Sequence, residues 1–318
     1  MISSLNEEET ILINKIDLKS VLPLDFPLSI NIEVTNACNL RCVMCPREMS
    51  SKQVGFINFD LFKKIIDECG NRKLKKIILH KDGEPLLHPE LSEMVRYAKK
   101  ANAADILSLT TNGILLDESS AAKLVESGLD EVCISIDAAD PKTYEKIKGQ
   151  NAYEIVESNC EKLVKMKNKF PFITVKFIRM KENKNEELEF MKRWEALLSI
   201  STSHYWDWGG AVTDSSIDKN KTTNLPCDTL WYSMAVNWDG TVSVCCVDWD
   251  SKGIIGNVSK NSLYEIWHGE KLHNIRKIHL ELKAQTLPVC TNCTYKESGS
   301  REEIGTWLLN NKETVLNI

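Results

Sequence analysis

Short apolar, β-branched runs alternate with longer segments whose apolar residues recur every three to four positions, through the first two-thirds of the chain. Residues 29–35, with Ile30, Ile32 and Val34, read as a first strand, and residues 59–69 as an amphipathic helix. The same reading predicts strands over residues 76–80, 106–111, 132–136 and 174–180, and a sixth over 204–208. Helices are predicted over residues 89–101, where Leu91, Met94, Val95 and Ala98 share a face, and over 117–127 with Gly128 as its C-cap. Two more fall at 151–167 and 185–198. Repeated strand–helix units imply a parallel sheet, because each crossover helix returns the chain to the same end. The last third breaks this rhythm. Met234 to Val244 reads as a hairpin turning at Asp239-Gly240. Leu263 to Trp267 opens a helix, with Ser262 as N-cap and Glu265 completing a capping box. Between the two parts, residues 209–224 are small, polar and Lys-rich, the composition of a linker or lid.

Composition fits a water-exposed globular protein. The 318 residues are 42% hydrophobic and 27% charged, enough for one barrel-sized domain and a smaller one. A net charge of −5 without a basic stripe argues against nucleic acid as a partner. No apolar stretch is long enough to span a bilayer, so no membrane association is expected. Glu7-Glu8-Glu9 replaces the basic-then-apolar pattern of an export signal. Eleven cysteines in that context point to the cytoplasm and to metal ligation rather than disulfides. Cys69, Cys133 and Cys160 fall within helix or strand patterns and read as small core residues.

Cys38, Cys42 and Cys45 stand as C-x3-C-x2-C directly after the first strand. Three thiolates on one tight loop suit a [4Fe–4S] cluster and leave one iron open, whereas zinc normally closes on four ligands. This spacing resembles the signature of the radical S-adenosylmethionine (SAM) superfamily. The resemblance implies an α/β fold built on a partial (β/α)6 TIM-like barrel, with SAM chelating the open iron. Asp82-Gly83-Glu84-Pro85 resembles that family's Gly-Gly-Glu-Pro motif, with Asp82 at the first glycine. By the same resemblance Gly83, Glu84 and Pro85 serve the SAM ammonium group. Asn112 and Ser135 match positions that hold its ribose and carboxylate, and Asp137 stands beside them at a strand end. The residue before the third cysteine is usually aromatic; here Met44 takes its place, and a thioether can cover an adenine face.

A second cysteine set follows. Cys227, Cys245, Cys290 and Cys293, the last two as C-x2-C, resemble the SPASM/Twitch auxiliary domain of such enzymes, a β-hairpin plus helix. Four ligands close one auxiliary [4Fe–4S] cluster completely; a structural zinc is the alternative, and Cys246 competes with Cys245. The implied domains are an N-terminal extension (1–27), the barrel (28–208), the linker (209–224), the auxiliary domain (225–300) and a C-terminal tail (301–318).

One closed auxiliary cluster implies, by the same resemblance, two-electron oxidation. A 5′-deoxyadenosyl radical takes hydrogen from a secondary alcohol carbon of a small sugar, cyclitol or polyol, and the auxiliary cluster accepts an electron, as in aminocyclitol dehydrogenases. A flavodoxin- or ferredoxin-type donor is the expected partner beside the small-molecule substrate. Arg179 and Asp248 are the candidates for holding or deprotonating the hydroxyl, and Trp206 and Trp208 for walling the pocket. A peptide-modifying maturase is the alternative, disfavoured because 27 leading residues are too few for a leader-binding domain. A non-catalytic iron–sulfur or zinc protein is the third reading.

Overall fold

The apolar runs around Ile30, Ile77, Leu107, Val132 and Val175 are fully buried, each in a strand of one sheet. The computed structural model describes residues 16–166, 168–170, 172–212, 224–295 and 301–316. Most of the expected linker (213–223), like the first fifteen residues of the extension, lies outside the described residues. In chain order the strands are β1 (Ser29–Ile32), β2 (Leu74–Ile78), β3 (Ala104–Thr111), β4 (Glu131–Ser135), β5 (Phe172–Arg179) and β6 (Ser199–His204). A short α1 (Leu18–Val21) precedes them. The crossovers are α2 (Phe59–Gly70), α3 (Leu91–Lys100), α4 (Glu118–Ser127), the pair α5 (Pro141–Lys148) and α6 (Tyr153–Lys165), and α7 (Glu187–Trp194). All neighbouring pairs from β1 to β6 are parallel, which gives the partial (β/α)6 barrel.

Local chemistry sets the helix ends. Asn58 accepts the amides of Asp60 and Leu61 to start α2, whose Phe62, Ile65, Ile66 and Cys69 then face the core. Asp117 caps α4, and Gly128 closes it at φ +89°, a conformation that favours a residue without Cβ. The three cysteines read as core residues, Cys69, Cys133 and Cys160, are buried.

Two expectations need correction. The sixth strand is Ser199–His204, not 204–208. Its buried Ser201 and Ser203 share the inward face and the buried Thr202 lies on the other, so the strand carries no apolar run there to betray it. The helix α5 was not anticipated. Its signals were Asp140, which caps the amides of Lys142 and Thr143, Pro141 at the first turn, and Gly149 at φ +73°.

The C-terminal third does not form a separate sheet. Strand β7 (Ser233–Val236) pairs in parallel with β1, from Ser29↔Ser233 to Ile32↔Val236. It then turns at Gly240 into antiparallel β8 (Thr241–Ser243), followed by β9 (Ile254–Asn257). The strand order is β6-β5-β4-β3-β2-β1-β7-β8-β9. Next come α8 (Leu263–Trp267), with the expected Ser262–Glu265 capping box, and α9 (Glu270–Leu280). Residues 301–316 form α10 (Arg301–Asn310) and α11 (Lys312–Leu316), docked where the Trp231 indole donates to the Val315 carbonyl. The β1–β7 pairing joins the hairpin, and the cysteine-bearing loop that follows it, to the barrel sheet beside β1.

Candidate functional site

The cysteine loop leaves β1 and is pinned from both sides. Thr35 Oγ1 donates to the Gly55 carbonyl at 2.6 Å, and Asn36 Nδ2 to that of Gln53 at 2.8 Å. The amide of Val43 donates to Ile147 O at 2.8 Å, which fastens the loop to the end of α5. Cys38, Cys42 and Cys45 thereby line the mouth of one cavity of about 240 Å³. Burial pushes the Cys42 thiol up to about 12 and Cys45 to about 11, and Cys38 and Cys45 each oppose a charge on Cys42. Among the described residues, no three Cys, His, Asp or Glu side chains gather tightly enough for a single metal ion. Soft, buried thiols that disfavour one another's charged forms suit a cationic iron–sulfur core, which deprotonates its ligands as it binds.

Gly83 is wedged against this loop: a Cβ there would stand 2.2 Å from Thr35 O and 2.6 Å from Ala37 O. Glu84 is buried and accepts hydrogen bonds from Thr111 Oγ1 (2.8 Å), Asn112 N (2.8 Å) and Leu86 N (3.0 Å). Burial raises its pKa against these donors. Its carboxylate thus orders the ends of β2 and β3 while lining the cavity. Asn112 also lines it, with Nδ2 on Asn39 Oδ1 at 2.7 Å. Pro85 sits behind the wall, starting a short 3-10 turn. Met44 lines the cavity and packs with Ile147, Met180 and Tyr205.

Ser135 faces the cavity, and its hydroxyl accepts from Lys148 Nζ at 3.0 Å. Asp137 does not line the cavity. Fully buried at φ +62°, it pairs with Lys148 and accepts the Ile178 amide at 2.8 Å. Its position therefore serves Lys148, a cavity-lining cation that sequence reasoning missed because α5 was missed.

The second cysteine set converges beside the same cavity. Burial raises Cys245 well above its ordinary value, and Cys246, Cys290, Cys293 and Cys227 add to the rise, so Cys245 faces the other members of its set. Burial also raises Cys227, whose amide donates to His279 Nδ1 at 3.2 Å. Cys246 and Val247 point to the cavity instead.

Neither residue expected to act on a hydroxyl lines the cavity. Arg179 is held by Glu187 (Nε to Oε2, 2.8 Å) and by Thr202 (2.8 Å). The two carboxylate oxygens of Asp248 accept the amides of Lys252 (2.8 Å) and Gly253 (2.9 Å), so the side chain ties its own loop. Trp206 and Trp208 do wall the cavity, with Trp206 edge-on to Tyr295 at 4.7 Å. Among the unanticipated lining residues Asn31, Ser108, Thr110, Lys176, Ser203 and the pair His80 and His204 are polar, while Leu40, Ile78 and Ile178 are apolar. Lys176 had a signal, a lone charge inside the apolar run from Val175 to Ile178; its Nζ lies 5.5 Å from the Trp206 ring centroid.

Comparisons with known proteins agree with this geometry. The model of the radical SAM superfamily matches residues 32–193, and that of the SPASM iron–sulfur cluster-binding domain matches 227–294. A tungsten-containing aldehyde ferredoxin oxidoreductase cofactor-modifying protein of Pyrococcus furiosus is 29% identical over 84% of this chain and 87% of its own. The GTP 3′,8-cyclase of Chlorobaculum tepidum is 37% identical over 147 residues, and the match spans 46% of this chain and 43% of that relative's length. Among solved structures, BtrN in complex with AdoMet and 2-DOIA superposes with a TM-score of 0.59 at 21% identity, over 84% of this chain and 93% of that one.

Proposed function

The chain belongs to the radical SAM superfamily, and on that premise we propose that it oxidises a secondary alcohol of a small, hydroxyl-rich substrate to a ketone. It carries SAM, a SAM-binding [4Fe–4S] cluster and an auxiliary iron–sulfur domain. When reductively cleaved, bound SAM supplies a 5′-deoxyadenosyl radical that can take a hydrogen atom from carbon. One observation carries the reading: a single cavity touches the three-thiol loop on one side and the Cys246-Val247 loop of the auxiliary set on the other. A substrate between them has a hydrogen-abstracting side and an electron-accepting side.

The residues divide the remaining work. Cys38, Cys42 and Cys45 hold the SAM-binding cluster, and Cys227, Cys245, Cys290 and Cys293 the auxiliary one. Gly83 and Glu84 shape the turn for the SAM ammonium group, and Asn112 takes the ribose. Lys148, steadied by Asp137 and Ser135, offers a cation for the SAM carboxylate. Asn31, Ser108, Thr110 and Ser203 line the cavity with hydrogen-bonding groups, and the Asn31 Oδ1 is buried without a partner. These groups would hold substrate hydroxyls, while Leu40, Ile78 and Ile178 supply the apolar part of the wall. Trp206, Trp208 and Tyr295 exclude water from the reacting side. A flavodoxin- or ferredoxin-type protein would deliver the priming electron.

The test is an anaerobic screen of aminocyclitols, hexoses and linear polyols with reconstituted protein, SAM and a reductant, read by mass spectrometry. The reading expects a product lacking two hydrogens, formed with one 5′-deoxyadenosine each. A cross-linked or oxidised peptide, with no polyol oxidised, would favour the maturase instead.

A further inference from the structure

Behind the cavity wall, four charged side chains gather where barrel and hairpin meet. Glu33 follows β1 and is fully buried. Lys52, on the loop after the first cysteine set, places Nζ 3.2 Å from Glu33 Oε1 and 3.0 Å from Asp82 Oδ2. Asp82 lines the cavity, and its Oδ2 also accepts from Lys81 Nζ at 2.6 Å. Lys81 in turn donates to the Asp248 carbonyl at 2.9 Å, on the auxiliary loop. The Trp238 amide, from the β7–β8 turn, donates to Glu33 Oε2 at 3.2 Å. The two carboxyl groups share the Lys52 ammonium. Asp82 occupies the position where the superfamily motif has a glycine, so this cluster is a departure of this chain.

We propose that Asp82 is the proton acceptor of the cavity and that Glu33, behind it, shares and stores the proton. The inference rests on the alcohol-oxidation reading. There the carbon gives a hydrogen atom to the SAM-derived radical, the second electron passes to an iron–sulfur centre, and the hydroxyl proton must leave the substrate. A carboxylate at the wall, backed by a second carboxyl, gives that proton a route away from the ketone.

The electrostatics fit the role. Burial, then Asp82, pushes Glu33 up to about 7, while Lys81 and Lys52 pull it down. Burial acts to raise Asp82 as well, but Lys81 and Lys52 overcome it and hold the group low. At and above about pH 7, therefore, Glu33 loses its own proton and can take up another, while the ionised Asp82 lines the cavity.

Glu33 is a positioning residue, and the test needs a reading that a purely structural ion pair would not move. Infrared difference spectra of the reconstituted holoenzyme, titrated between about pH 5 and about pH 9, are expected to show a protonated carboxyl lost with a midpoint near 7. Glu33→Gln should lack that band. Lys52→Met, which removes a lowering charge, should move the midpoint upward, and it serves if Glu33→Gln does not fold. No titrating band, or one unchanged in both variants, overturns the proposal. In the oxidation assay, Asp82→Asn is expected to cut ketone formed per 5′-deoxyadenosine at least about tenfold; an unaltered ratio also overturns it. A wild-type enzyme that shows the band but oxidises no polyol refutes the alcohol reading and the substrate role of Asp82, not the shared proton.

Discussion

Gly83→Ala should separate the protein from its cofactor more sharply than any loss of a polar contact. The backbone at Gly83 is open to other residues, since its φ is not in the left-handed region, so the objection to alanine is space alone. A Cβ would stand 2.2 Å from Thr35 O, 2.6 Å from Ala37 O and 2.8 Å from Asn36 Cα. All three are backbone atoms, and none can rotate away. Restoring ordinary contact requires a shift of about 1 Å between the β2 turn and the root of the cysteine loop. Overpacking of this kind costs about 1–3 kcal/mol. Moving the turn also stretches the Glu84 N–H to Ala37 O bond, now 2.8 Å, worth about 1 kcal/mol more. The combined cost of about 2–4 kcal/mol falls on the segment that brings Cys38 and Glu84 to the cavity. SAM affinity of the reconstituted variant, measured by equilibrium dialysis, should fall at least about tenfold, with a lowered Tm in the same preparation. Wild-type affinity together with an unchanged Tm would refute the wedge.

Lys148→Met leaves Asp137 buried without its cation, and should destabilise the fold by about 3–5 kcal/mol in denaturant titration. The double variant Lys148→Met/Asp137→Asn should recover much of that stability but not SAM affinity, whereas recovery of both would remove Lys148 from the site. Cys245→Ser should abolish auxiliary-cluster assembly, read as lost iron and lost cluster absorbance, while Cys246→Ser should retain it; the reverse pattern would exchange their roles. Glu33→Gln bears on stability as well as chemistry. With its pKa raised from 4.5 to about 7, Glu33 contributes stability that is full below about 4.5 and lost as pH rises through 7. The variant's advantage over wild type should therefore grow across that window by up to about 3 kcal/mol, and a pH-independent difference in Tm would contradict the assigned shift.

What the sequence disclosed follows from how far each signal reaches along the chain. Strands β1 to β5 and most crossover helices were legible because burial imposes local apolar periodicity. The strand β6 was displaced in the reading because its inward positions, Ser201 and Ser203, are polar, while the aromatic residues beyond it mimic a strand. Nothing local announced the parallel pairing of β7 with β1, since its partners lie some two hundred residues apart. The thiol sets were legible because cysteine chemistry is rare and spacing-bound. Lys148, Asp82 and Glu33 were not identified as partners, because their meaning comes from tertiary neighbours. The same blindness made Arg179 and Asp248 attractive: both stand at strand or loop ends, but Glu187 and the Lys252 and Gly253 amides occupy them.

The central claim, that an open three-thiol cluster cleaves SAM beside an independent four-thiol set, is tested most directly without any substrate. Wild-type protein and the variant with Cys38, Cys42 and Cys45 replaced by Ala would be reconstituted anaerobically and supplied with SAM and dithionite. The account predicts about eight iron per wild-type chain and about four in the variant, with 5′-deoxyadenosine formed by the wild type alone. Formation of 5′-deoxyadenosine by the triple variant would contradict the account.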